Sequence, residues 1–307
     1  MGPGCRCRAV KKYGADFFYL GPQEMLKLAR GTTEIRSSQA TFLVKTIKYF
    51  VLPFCAFVQG KILKVRWRHH ADRRAFNWDW KSCNFNRVAA VNLLLSKFDD
   101  PIYLEIGCAD NALFDSVSCT KKVGVDPASG GTMKMTSDEF FFQNETEFDV
   151  IFIDGLHTYE QVRRDVINAL KFSHVNSWIA LHDMLPRNWV EHHVPCISHG
   201  AWTGDVWKVA FELSKTEGID FKILKIDRGV GIFKVIKKDV VMADFTKELR
   251  GQEFSYFYEN HFFSFFSFFF FFFSGSETST SSSFATLMSE CFLFLSFFVT
   301  LTSTSSA

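Results

Sequence analysis

Four short apolar runs in this chain end in the same way. "IYLEIG" (102–107), "KVGVD" (122–126), "FDVIFID" (148–154) and "SWIALHD" (177–183) each deliver a buried-looking stretch onto a Gly or an Asp. Apolar runs of this length, bounded by turn residues, are the pattern of strands covered on both faces. Helical spacing recurs around them in "NRVAAVNLLLSKF" (86–98), "TYEQVRRDVINALKF" (158–172) and "GDVWKVAFELSK" (204–215). Strands alternating with helices predict an α/β fold, a doubly wound and mostly parallel sheet. "FKILKID" and "GVGIFKVI", with Arg228 and Gly229 at the turn between them, predict a closing antiparallel hairpin.

In such a sheet, ligands bind outside the carboxyl ends of the strands. Glu105, Gly107, Asp126, Asp154, His182 and Asp183 all fall at such ends and are expected to converge on one rim. Gly107 would let a ligand approach the backbone where a side chain would block it. The loop is not GxGxxG, because Ala109 and Asn111 stand where further glycines would be, so a pyrophosphate cradle is poorly supported. Asp126 lies 19 residues after Gly107 at the end of the next strand, where a carboxylate suits ribose hydroxyls. A nucleoside ligand without a pyrophosphate fits both facts, and S-adenosylmethionine is such a ligand.

From Tyr103 to about Ile236 the chain resembles a class I S-adenosylmethionine-dependent methyltransferase. "FIDGLHTYEQVRRDV" followed by "WIALHDMLP" is similar to methyltransferase family 24. The resemblance implies a seven-stranded Rossmann-like sheet with S-adenosylmethionine as cofactor. It also implies methylation of a small-molecule acceptor, with a hydroxyl oxygen as the expected atom. It would set "EIGCADN", with Glu105, Gly107, Cys108 and Ala109, against the methionine part of the cofactor and Asp126 against the ribose. "TSD" (136–138), with Ser137 and Asp138, would face the adenine edge, and Asp154 would stand beside the sulfonium and the acceptor.

Methyl transfer chiefly needs an aligned acceptor and a group to take its proton. His157, three residues after Asp154, is the expected base, since a histidine titrates near neutrality. Asp154, His182 and Asp183 form a second candidate catalytic set. Related metal-dependent O-methyltransferases hold a divalent ion at these strand ends, which makes Asp154 and Asp183 candidate ligands and Mg²⁺ a candidate second cofactor. Two other readings stay open: a nicotinamide-dependent oxidoreductase, and a non-catalytic membrane-surface binding protein on a methyltransferase scaffold.

The flanks differ in composition from this middle. Residues 1–74 carry 15 Lys/Arg against 4 Asp/Glu, or +11, while the remainder carries 20 against 29, or −9. Residues 1–76 therefore read as a basic extension of arm or membrane-surface helices, 77–240 as the methyltransferase domain and 241–260 as a linker. Residues 41–74 are the expected site of any peripheral membrane contact, because the uncharged stretch from Tyr49 to Gly60 falls short of the roughly 20 residues that span a bilayer. Residues 261–307 read as a low-complexity Phe/Ser tail without folding pattern. The "RNWVEHHVPCISHGAWTGDVWK" segment (187–208) reads as an aromatic wall or lid, its His192, His193 and His199 lacking a zinc spacing. The eight scattered cysteines suit reduced thiols and a cytoplasmic location, with membrane association as the variant; nucleic acid is not an expected partner.

Overall fold

The computed structural model describes residues 52–80, 83, 85–198 and 200–265. Expectations for residues 1–51, for His199 and for the tail beyond 265 lie outside the described residues. In chain order the elements are α1 (Leu52–Arg66), a 3-10 turn (Arg68–His70), α2 (Arg87–Leu95), β1 (Ile102–Ile106), β2 (Lys121–Val125), α3 (Ser137–Gln143), β3 (Phe148–Ile153), α4 (Tyr159–Lys171), β4 (Ser173–Leu181), α5 (Trp189–His192), α6 (Trp207–Leu213), β5 (Ile219–Leu224), β6 (Val230–Val235), α7 (Thr246–Leu249) and α8 (Phe254–Phe265).

The strands form one sheet in the order β2-β1-β3-β4-β6-β5. β1, β2, β3 and β4 are parallel, β6 runs antiparallel to β4, and β5 antiparallel to β6. Period-two alternation divides the apolar side chains between two layers. Tyr103, Val150, Phe152, Ala180 and Ile232 pack against Ala90, Val91, Leu94 and Leu95 of α2. Leu104, Ile106, Ile151, Ile153, Ile179 and Leu181 pack on the other face with Val162 and Val166 of α4 and Trp207 and Ala210 of α6.

The register decides where the site can be. Ile106 pairs with Val125 and Ile153, Ile153 with Leu181, and Leu181 with Gly231. The next residues, Gly107, Asp126, Asp154 and His182, therefore leave the sheet level with one another.

Two expectations need correction. The sheet has six strands among the described residues, not seven. Between Asp126 and Phe148 the chain makes a glycine turn, a single parallel bridge from Val125 to Met133 and the seven-residue α3, so a further edge strand is reduced to one bridge. Residues 241–260 are no linker. Met242, Leu249, Phe254 and Phe257 are buried in the core beside α6. Phe245 N–H donates to the fully buried Glu212 at 2.9 Å, and Lys208 Nζ donates to the Arg250 carbonyl at 3.1 Å. Phe76 from the preceding arm stacks on Trp78 and packs edge-on against Phe257.

Because Phe257 is fully buried, Phe257→Ala should destabilise the protein by about 3–5 kcal/mol, the cost of emptying an aromatic core site. Urea unfolding would check this; a change under about 1 kcal/mol would return the segment to linker status.

Candidate active site

At the carboxyl ends of β3 and β4, two imidazoles, three carboxylates and two guanidiniums form one cluster. Gly107, with φ +89°, sits so close to this point that an added Cβ would lie 2.1 Å from the Asp154 carbonyl oxygen. Asp154 ends β3, and the turn after it returns His157 over the same spot. His157 Nε2 lies 3.3 Å from Asp154 Oδ1 and Nδ1 lies 3.0 Å from Asp183 Oδ2. Nδ1 also faces the Trp202 carbonyl at 2.9 Å, the better-aligned acceptor, which leaves Asp183 Oδ2 buried without a hydrogen bond. The Trp202 ring stacks on His157 at 5.2 Å. Gly204 completes this clamp, since a Cβ there would fall 1.7 Å from the His157 carbonyl oxygen.

His182 is fully inside the cluster. Its Nδ1 lies 3.2 Å from Asp154 Oδ1 and 3.3 Å from Asp183 Oδ1. Arg87, from α2, brings Nη1 to 3.1 Å from His182 Nε2 and 3.6 Å from both Asp154 and Asp227. Arg228 Nε donates to Asp183 Oδ1 at 2.7 Å from the β5–β6 turn. That turn is held in place by Met184 N–H and Leu185 N–H, which donate to the carbonyls of Gly229 and Arg228.

Protonation follows from who faces whom. Both nitrogens of His157 face acceptors only. Burial would depress its pKa, but the charge of Asp183 and the contact with Asp154 outweigh it and raise it well above 6.5. His157 is therefore an imidazolium at neutral pH, not the free base expected from its type. Asp154 and Asp183 resist their burial and stay ionised, held well below the usual range by the two imidazoles that face them, His182 and the charged His157. For His182, burial works against charge and the two carboxylates raise its pKa; a guanidinium has no acceptor, so Arg87 must donate to a bare Nε2, and this contact decides for the neutral Nδ1–H form. The cluster then holds three cations (His157, Arg87, Arg228) against three carboxylates (Asp154, Asp183, Asp227).

This balance bears on a metal. Asp154, His182 and Asp183 each offer a ligand atom within 4.8 Å of the others, as a divalent ion would require. Arg228 already occupies Asp183 Oδ1 and Arg87 faces His182 Nε2, whereas Asp183 Oδ2 is buried without a hydrogen bond.

The residues expected around the cofactor divide into three groups. The loop after β1 keeps a left-handed backbone without glycines, at Ala109 (φ 49°) and Asn111 (φ 66°). Asn111 steadies it by accepting from Gly131 N–H at 2.6 Å. Asp126 Oδ2 accepts from Ala109 N–H, and Oδ1 from Ala128 and Ser129 N–H, so this carboxylate organises the loop as well as facing the rim. Cys108 turns its thiol into the core, where burial pushes it up to about 12. Glu105 is buried too and accepts from Tyr103 Oη at 2.7 Å. Burial pushes Glu105 up to about 7, with the Tyr103 hydroxyl opposing and the charge of Asp154 adding to the rise. The Ser137 hydroxyl donates to the buried Asp165 at 2.6 Å, while Asp138 is exposed and pairs with Arg164.

Arg87, Asp227 and Arg228 were not among the expected site residues, while Trp202 belongs to the 187–208 segment expected as an aromatic wall. Arg87 sits on an ordinary-looking helix, and Asp227–Arg228 read as turn residues. His192 accepts from Trp207 Nε1 at 2.8 Å and faces Glu253 at 3.2 Å, a structural role.

Residues 111–184 match the family model of methyltransferase family 24, described as a methyltransferase domain. Among solved structures, the O-methyltransferase from Bacillus cereus in complex with SAH is 15% identical, with 58% of this chain and 90% of that chain covered and a TM-score of 0.38. The N-methyltransferase NodS from Bradyrhizobium japonicum is 16% identical, covering 49% and 95%, TM-score 0.32. The O-methyltransferase TomG from Streptomyces achromogenes, in complex with SAM, is 14% identical, covering 48% and 80%, TM-score 0.34. No curated protein matches the chain. Strand order and the antiparallel closing strand are those of the Rossmann-like sheet expected of a class I S-adenosylmethionine-dependent methyltransferase, and the family match places a methyltransferase domain over residues 111–184. Within that class it is methyltransferase family 24 that residues 111–184 match.

Two outcomes follow from the loop and from Glu105. Asp126→Ala should leave three backbone N–H groups without their acceptor and lower stability by about 1–3 kcal/mol, together with S-adenosylmethionine affinity. Calorimetry showing lost affinity at unchanged stability would make Asp126 a ribose contact only. A carboxyl whose folded pKa is raised adds stability below its unfolded value of 4.5, and that stability is lost as pH climbs through about 7. Glu105→Gln should therefore be more stable than the parent at pH 8 by about 3 kcal/mol, at 1.36 kcal/mol per unit, with the gap closing by pH 5. Equal unfolding midpoints at pH 8 would refute it.

Proposed function

We propose that this methyltransferase acts on a hydroxyl oxygen of a small-molecule acceptor. The supporting observation is the buried acid–base cluster at the ends of β3 and β4, in which Asp154 is the carboxylate of the imidazole pair that keeps a partly open face, with its side chain 17% exposed against 1% for Asp183. S-adenosylmethionine supplies the electrophilic methyl group when bound. The Gly107–Ala109 backbone and Asp126 would hold it, the first through its left-handed, side-chain-poor turn and the second through lone pairs left over from the loop amides.

In this reading Asp154 accepts a hydrogen bond from the acceptor hydroxyl and fixes its direction of attack. His157, against the same carboxylate, receives the proton once it has lost its own. Arg87 and Arg228 hold the carboxylates ionised and in place without a divalent ion. Water is limited by Trp202, which lies flat on the imidazole. The antiparallel β6 inserted beside β4 counts against a nicotinamide oxidoreductase, whose doubly wound sheet is built from parallel βαβ halves.

A base whose pKa is raised is active only above that pKa. Turnover should therefore climb with pH through and beyond neutrality, and His157→Gln should flatten this limb and lower the rate by roughly 100- to 10,000-fold. EDTA should leave the parent rate unchanged. Loss of activity in EDTA with recovery in Mg²⁺, and a pH profile unaffected by His157→Gln, would replace this scheme with a metal-centred one.

A further inference from the structure

The basic arm has one face that the methyltransferase reading leaves unused. α1 turns Gly60 and Leu63 inward, and Trp67 just beyond it reaches the domain, its ring 4.9 Å from that of His193. His70 continues the anchor with an ion pair to Glu253 at 3.1 Å. The opposite side carries Val58, Ile62 and Val65, exposed by 38%, 61% and 65%. Their spacing places the three in one narrow stripe along the helix. Lys61 and Arg66 flank this stripe, and exposed Lys64 and Arg68 lie further around the same segment.

A helix tied to its domain through Trp67 and His70 has no folding reason to show three large aliphatic side chains in line to water. Bordering them with long basic side chains is the arrangement that suits an interface, because the stems lie along the acyl boundary while the charged heads meet phosphate. The charge of the arm, +11 over residues 1–74 against −9 for the rest, would turn this face toward a negative surface. Among the described residues no helix is long and apolar enough to cross a membrane, so the geometry is one of lying on a surface.

We propose that the Val58–Ile62–Val65 face of α1 docks on an anionic lipid surface, with Lys61 and Arg66, which flank it, meeting the headgroups. The arm thereby holds the domain beside the membrane, independently of the chemistry at the rim.

The test uses the full chain and vesicles of phosphatidylcholine, alone or with about 30% phosphatidylserine, followed by sedimentation at two salt concentrations. Parent protein should bind the anionic vesicles, and binding should fall as salt rises. Ile62→Glu with Val65→Glu alters only outward positions, so its thermal transition should match the parent while its vesicle affinity drops on the order of tenfold or more. Lys61→Glu with Arg66→Glu should abolish the preference for phosphatidylserine. Parent protein that stays in the supernatant, or a double glutamate variant that binds as well as the parent, overturns the proposal. So does light scattering that finds a parent dimer converted to monomer by the glutamates, which would make the face a contact between two copies.

Discussion

Asp183 is 1% exposed and ionised, and the arrangement of the whole rim depends on how that charge is met. A lone carboxylate at this depth would take up a proton. It is held instead by Arg228 from the β5–β6 turn and by the imidazolium of His157 from the β3–α4 turn. Each partner drags a piece of backbone with it. The hairpin turn is pinned against Met184 and Leu185, and the β3–α4 turn against Trp202 and Gly204. A single buried charge thus joins three loops that are distant in sequence, and removing either cation would cost more than the pair's own attraction because the other groups would be left uncompensated.

The same balance gives the site its chemistry. With His157 protonated and His182 neutral, the three cations and three carboxylates cancel, so the cluster can sit in a low-dielectric pocket without importing an ion. Asp154 is the member that joins this interior to the open side of the rim. It accepts from the neutral His182 at 3.2 Å and lies 3.3 Å from His157, and so feels both imidazoles. Coupling of this kind means that the pair, not either residue, titrates with the bound acceptor.

The periphery is divided in function by the way it packs. The segment after β6 belongs to the core, with Phe254 and Phe257 under α6 and Glu212 tied to Arg163 and to the backbone of Phe245. The arm before α2 touches the domain through aromatic contacts at Phe76 and Trp67, and among the described residues the outer side of α1 keeps Val58, Ile62 and Val65 exposed. Membership of the domain therefore follows burial and not distance from the strand-rich middle.

Strand identity, the parallel sheet, the closing hairpin and the meeting of Asp154, His157, His182 and Asp183 were legible in the sequence. Each rests on a local rule: apolar runs become buried strands, and parallel strands of matched register bring their carboxyl ends level. Arg87, Asp227 and Arg228 could not be read this way, since a charged residue on a helix or at a turn carries no local signal of the charge it will meet, whereas Trp202 lies in the 187–208 segment read as an aromatic wall. The folded arrangement also reversed the expected state of His157, because a histidine's type sets its pKa near neutrality but two buried carboxylates set its proton. Ala109 and Asn111 show the same division. Their side chains argued against a glycine-like loop, and Asn111 with Asp126 supplied the hydrogen bonds that keep that backbone anyway. The sequence by itself determined which residues arrive at the rim, since that depends on strand ends; only the tertiary structure decided their protonation and partners, since those depend on charges brought together across distant parts of the chain.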